Sequence, residues 1–382
     1  MQKKLELAES FIDMKKILVV GQTPPPFGGQ AIMIKALLDG AYKQAKLFHV
    51  RMSFSKEMDD MGKFALSKVF HLVKVIIEMV YYRVFHNVRI LYYPPCGPDK
   101  LPMLRDLAIL CMTRWMFQKT IFHFHAAGIS DIYPALPWYL KFFFRWGYFK
   151  PDVAIRLSEH NPDDGTFLDA QNHCLVPNGI VDGYLLSKDQ ARKKHEVCTL
   201  LSVGLICESK GILVLIDVMR ILAERELRVR AKIVGKFESP EFEETVLSRI
   251  EEFGLVERFE FLGVLTGSAK YQAFIDADIF CFPTFFQSES FGLVVAEAMQ
   301  FELPVVASRW RGVQSLIVDG ETGFLTPARD SEVMANRVEQ LVFDSGLRSK
   351  MGLAGRQRYL DEYSIVKFHE RMDHCFSLVS KG

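Results

Sequence analysis

The chain has 382 residues, 49% apolar and 24% charged, which is material for two packed cores and excludes a disordered chain. A formal net charge of +1 offers no bulk attraction for nucleic acid, and none is expected as a partner. The seven cysteines are scattered without a Cys-x-x-Cys pair, against a disulfide framework or zinc site; with a polar, acid-bearing N-terminus this predicts a cytoplasmic protein.

From the N-terminus, residues 16–21 read as a buried parallel strand, followed by a proline and glycine loop at 24–29 and an apolar helix over 31–38. The apolar stretch 69–88 is broken by His71, Lys74, Glu78 and Arg83 at helical spacing, so a membrane span is rejected. Apolar runs at 88–93, 120–124 and 153–157 alternate with helical patterns, the rhythm of a parallel sheet covered on both faces. Between them, 138–150 interleaves aromatic residues with Lys141, Arg145 and Lys150. It reads equally as a helix resting on anionic lipid and as a buried helix whose cations reach out to water.

The rhythm restarts after Asn178-Gly179, with strands expected at 199–203, 231–234, 259–261, 279–282, 304–307 and 323–325. Helical patterns at 212–223, 242–253, 269–277 and 293–299 separate several of them, as right-handed crossovers require. The fold class is therefore α/β, with two Rossmann-like, doubly wound parallel-sheet domains. They are expected at 1–185 and 186–363, with the charged stretch 187–196 as linker and a last helix, within 364–382, packing back on the first domain.

The strongest chemical signal follows the expected strand at 279–282, where Glu289-Ser-Phe-Gly-Leu-Val-Val-Ala-Glu297 crosses from a loop into a helix. Both carboxylates can border the crevice beyond the strand ends, where open α/β sheets bind ligands. Free N–H groups from Phe291 through Gly292 and Leu293 to Val294 would meet a diphosphate, aided by the helix dipole. A carboxylate suits a ribose or sugar diol because it accepts two charge-assisted hydrogen bonds, and Glu297 is assigned to the ribose. In Gly204-Leu-Ile-Cys-Glu-Ser-Lys210-Gly211, a strand ends in a glycine loop whose lysine could neutralise that diphosphate.

These residues, with Asn178-Gly179, Gly263, 304–307 and 319–325, resemble family 4 of the retaining glycosyltransferases over most of the second lobe. The resemblance implies a GT-B fold with two domains facing across a cleft. It implies a nucleoside-diphosphate sugar donor (UDP-sugar or GDP-sugar), retention of anomeric configuration and no required metal or other cofactor. Carried across, Glu289 contacts the donor sugar, the backbone at Phe291 and Gly292 the sugar and phosphate, Lys210 the diphosphate and Glu297 the ribose. Leu205 stands where family members often have an arginine; some relatives manage without it, and Arg309 or Arg311 could substitute, though both also read as ordinary surface arginines. In the first lobe, Gly28 and Gly29 resemble the family's glycine loop, and His125, at a strand end, its cleft histidine.

The function expected is transfer of a sugar to an acceptor hydroxyl in cell-surface polysaccharide, lipopolysaccharide or glycolipid assembly. The acceptor would be a saccharide or lipid-linked saccharide, and the location cytoplasmic, with peripheral contact at the inner face of the membrane left open by 138–150. The alternative is a non-catalytic sugar-nucleotide-binding or scaffold subunit of the same shape.

Overall fold

The structure is a computed structural model that describes residues 14–25, 28–53, 66–191 and 197–379. The described residues fall into two compact units, one within Met1–Gly179 and Ile365–Gly382, the other within Ile180–Ser364.

In the first unit, strand β1 (Lys15–Gly21) leads into helix α1 (Gly29–Asp39) and β2 (Ala45–Arg51). Then come α2 (Leu66–Phe85), β3 (Ile90–Tyr93), α3 (Lys100–Thr113), β4 (Lys119–Phe124), α4 (Trp138–Tyr148), β5 (Val153–Arg156) and β6 (Asn172–Leu175). The six strands pair in parallel in the order β2-β1-β3-β4-β5-β6. β3 is buried along its whole length because helices cover both faces of the sheet. The C-terminal helix, Ile365–Leu378, belongs to this unit. Lys15 Nζ caps it by donating to Phe376 O at 2.8 Å and Ser377 O at 3.0 Å, a cation where the helix dipole is negative.

The second unit runs β7 (Cys198–Val203), α5 (Ile212–Glu224), β8 (Val229–Val234), α6 (Pro240–Glu252), β9 (Phe259–Phe261), α7 (Gly267–Ile275), β10 (Ile279–Phe282), α8 (Leu293–Gln300), β11 (Val305–Ser308) and β12 (Gly323–Thr326). Helices α9 (Ser331–Phe343) and α10 (Ser345–Arg358) complete it. Its sheet, β12-β11-β10-β7-β8-β9, is parallel and reverses winding between β7 and β10, the switch point at which such sheets leave a crevice. One apolar core packs α5, α6 and α9 on it through Leu215, Met219, Val246 and Val338.

The expected linker is partly visible. Residues 192–196 lie outside the described residues, and 187–191 pack on the second unit, where Gln190 Nε2 donates to Ser268 O at 3.1 Å and Gln272 Nε2 to Ala191 O at 3.0 Å. Strands β2 and β6, absent from the expectation, form the two edges of the first sheet. Among the described residues no helix is long and apolar enough to cross a membrane.

Candidate functional site

Two loops leave the second sheet side by side at its switch point, one after β7 and one after β10. They are knitted by Phe285 N donating to Ser209 O at 2.8 Å. Gly211 sits between them at φ +84°, where any Cβ would lie 2.1 Å from Pro283 O, so only glycine lets the first loop cross this closely. The crossing delivers Lys210 onto the second loop. Its ammonium pairs with Glu289 and lies 4.7 Å from the centre of the Phe286 ring. With side-chain exposures of 23% and 11%, the pair is largely withdrawn from solvent screening. Trp310 Nε1, donating to Phe286 O at 2.8 Å, holds the same loop from the β11 side.

Helix α8 begins directly after this loop. Its cap, Gly292, is left-handed at φ +85°, and no side chain caps the free N–H groups of Leu293 and Val294. The Phe291 side chain is buried edge-on against Tyr363, with ring centres 5.6 Å apart, so only its backbone is available to a ligand. Glu297 stands one turn further along. Lys270 Nζ, from α7, donates to both its carboxylate oxygens at 2.7 Å, and each side chain is about a quarter exposed. A carboxylate has about four acceptor positions, so two remain for a diol.

The far ends of β7, β8 and β9 carry glycines in a row. Gly204 N donates to Val234 O at 2.9 Å and Gly235 N to Gly263 O at 2.8 Å. At Gly204 and Gly263 an added Cβ would meet nothing within 4 Å, so the space at these strand ends is open; at Gly235 it would lie 1.8 Å from Gly204 O. Arg309 is committed to Asp319 at 2.8 Å, and Arg311 opens the short turn Arg311–Ser315. Arg329 covers the Phe285 ring at 4.1 Å, a cation on this loop that the sequence reading passed over.

The remaining expected residues lie in the first unit. Gly28 caps α1 with ordinary extended backbone and open space at its Cβ position, and Gly29 is the first helical residue. His125 follows β4, its ring 4.0 Å from that of His123, and Tyr92 Oη is 2.6 Å from His123 Nδ1 and 3.5 Å from His125 Nε2. Burial pushes the His125 pKa down to about 3, so the imidazole is neutral at ordinary pH. The loop after it is anchored by Asp164, which accepts from Gly128 N at 2.7 Å, Ser130 N at 2.9 Å and Ser130 Oγ at 2.6 Å. Sequence reasoning missed Lys270, Gly235 and Asp164; only the Asp163-Asp164-Gly165 turn carried a local signal.

Residues 186–358 match the model of the family described as glycosyl transferases group 1. The chain is 34% identical over 196 residues to a phosphatidyl-myo-inositol mannosyltransferase of Mycobacterium leprae, covering 50% of each chain. It is 26% identical over 218 residues to the capsular polysaccharide biosynthesis glycosyltransferase CapM of Staphylococcus aureus, covering 57% of this chain and 51% of that one. The chain thus spans about half the length of these curated relatives. Among solved structures, HepE of Anabaena in complex with UDP and glucose superposes with a TM-score of 0.69 at 17% identity, over 96% of this chain and 100% of that one. A sucrose-phosphate synthase from Thermosynechococcus elongatus does so with a TM-score of 0.69 at 16% identity, over 95% and 98%. The fold is the two-domain α/β GT-B fold.

Proposed function

We propose, from the premise that residues 186–358 form a glycosyl transferases group 1 domain, that the whole chain is a retaining glycosyltransferase using a nucleoside-diphosphate sugar. One observation carries this reading. Lys210 and Glu289 meet at the switch point beside the uncapped start of α8, giving cation, carboxylate and free N–H groups on one crevice. The N–H groups and Lys210 would take the diphosphate and stabilise charge as it develops on the leaving group. Glu297 would accept from the ribose hydroxyls with the two acceptor positions that Lys270 leaves, and Glu289 would contact the sugar. A neutral His125 can donate or accept a hydrogen bond but carries no charge, which suits orienting the sugar and acceptor.

The acceptor hydroxyl would attack from the face the diphosphate leaves, passing its proton to the departing phosphate oxygen. Relatives named for phosphatidyl-myo-inositol and for capsular polysaccharide support a lipid or saccharide acceptor, and with it work at the inner face of a membrane. HepE, solved with UDP and glucose, favours a UDP-sugar over a GDP-sugar as the first donor to try.

The test is a thermal-shift screen of UDP, GDP, ADP and their sugar conjugates on the wild type and Glu297→Ala, since a ligand of the folded state alone raises the melting temperature. One nucleotide family should stabilise the wild type and not the variant. NMR of the transferred product should then show the donor's anomeric configuration retained. No shift with any nucleotide at millimolar concentration would leave the non-catalytic scaffold as the better description.

A further inference from the structure

Helices α2, α3 and α4 lie side by side on one face of the first sheet, with α3 in the middle. They are tied by Arg83 Nε donating to Met116 O at 2.7 Å and Arg114 Nη1 to Gly147 O at 2.8 Å. Their inner sides enter the core through Met79, Leu110, Phe144 and Tyr148. Their outer sides are apolar too. On α4, Trp138 is 83% exposed and Phe142 and Trp146 are also uncovered; on α2, Phe70 is 76% exposed, and Ile77 and Phe85 share that condition. Isolated exposed apolar residues are ordinary, but large apolar side chains uncovered on three neighbouring helices, Leu101 and Met112 on α3 among them, are what a soluble monomer avoids.

Charge accompanies the apolar surface. Residues 69–85, 100–116 and 138–148 contain seven lysines and arginines against two acids; Arg83 and Arg114 are turned to backbone carbonyls, and Lys74, Lys100 and Arg145 are exposed. Of the two acids, Asp106 is buried against Arg105 on α3 and Glu78 faces Lys74 at 3.7 Å on α2, and α4 itself contains no acid. A two-fold pairing of this face with itself would bring cations toward cations. An anionic bilayer surface meets both properties: tryptophan and phenylalanine enter the headgroup boundary while lysine and arginine stay at the phosphates.

We infer that the outer face of α2, α3 and α4 docks the protein in the plane of an anionic lipid bilayer, with Trp138, Phe142 and Trp146 inserted and Lys100 and Arg145 at the headgroups. This deepens the membrane partner proposed above by naming the surface, and it rests on that reading for its purpose and not for its physics.

Flotation on sucrose gradients tests it, using vesicles of phosphatidylcholine alone or with phosphatidylglycerol. The wild type should float with the phosphatidylglycerol vesicles, and less so as salt is raised. Trp138→Ser/Phe142→Ser/Trp146→Ser should stay at the bottom. Lys100→Gln/Arg145→Gln should bind roughly 25-fold more weakly, from about fivefold per cation near an anionic surface. All substituted side chains are exposed, and unchanged melting temperatures with and without nucleotide would certify the variants as folded with an intact second unit. Three results would overturn the inference: no flotation of the wild type at low salt, equal flotation on both vesicle types, or a dimer in sedimentation that the serine variant converts to monomer. The last would assign the face to a second copy. Loss of nucleotide stabilisation in the wild type would instead strike the transferase reading and leave the flotation result standing.

Discussion

Replacing Glu297 by glutamine removes one negative charge and little else. In the free protein the carboxylate is held by two hydrogen bonds from Lys270 at 2.7 Å. With donor bound, its remaining acceptor positions would take the ribose diol. A hydrogen bond to a charged group contributes about 1.5–3 kcal/mol. Glu297 is 24% exposed and so partly hydrated when empty, which argues for the lower end, about 2 kcal/mol for the pair of contacts. That corresponds to roughly 30-fold weaker nucleotide binding by isothermal titration calorimetry. Lys270→Met should cost less, about three- to fivefold, because the carboxylate remains but loses the partner that orients it. If Lys270 acts only through Glu297, the double variant binds no more weakly than Glu297→Gln alone. Additive losses would mean that Lys270 touches the donor itself. A Glu297→Gln protein within twofold of the wild type would refute the ribose assignment.

Three further outcomes follow from the geometry. Because burial depresses the His125 pKa from 6.5 to about 3, the unfolded chain binds its proton first as pH falls, so stability drops through pH 6.5 toward 3; between pH 7 and 5 this amounts to about 2 kcal/mol, and His125→Asn should lessen the slope of that part of a Tm-against-pH curve, to which the buried His123 also contributes. A slope unchanged by the substitution would show the histidine to be solvated. Asp164→Ala strands the buried N–H of Gly128 and should destabilise the chain by about 2–3 kcal/mol in urea unfolding, with Asp164→Asn milder. Gly235→Ala drives a methyl to 1.8 Å from Gly204 O, so a strand end must move, lowering Tm by several degrees and weakening nucleotide binding measured beside it.

The second sheet was legible because its strands are short apolar runs buried on both faces, such as Ile279–Phe282 and Val305–Ser308, between helices of clear period. Strands β2 and β6 were not, because each is an edge strand with mixed exposure, and sequences such as Ala-Lys-Leu-Phe-His-Val-Arg lose the unbroken apolar signal. The site divides the same way. Glu289, Gly292 and Glu297 sit at fixed separations along one strand, loop and helix, so local pattern locates them. Lys270 is 27 residues from the carboxylate it grips, on a helix of its own, and in sequence is one more surface lysine. Gly235 is required by an oxygen of a neighbouring strand, a relation that exists only once β7 and β8 pair in register.

Helix α4 marks the limit most sharply. Trp-Tyr-Leu-Lys-Phe-Phe-Phe-Arg-Trp-Gly-Tyr is apolar around most of its circumference, broken only by Lys141 and Arg145, and a helix of that kind is equally compatible with a protein core and a lipid boundary. Periodicity cannot separate the two, since both solvents reward the same side chains. What separates them is which side the rest of the chain covers. Phe144, Gly147 and Tyr148 meet α3 and the sheet, whereas among the described residues Trp138, Phe142 and Trp146 meet no covering element, and Arg145 is exposed as they are. A buried helix would have the same composition with its arginine turned toward an acid. Arg145 instead lies over the Phe149 ring at 4.7 Å with its surroundings open, so the uncovered side keeps its charge for whatever it meets.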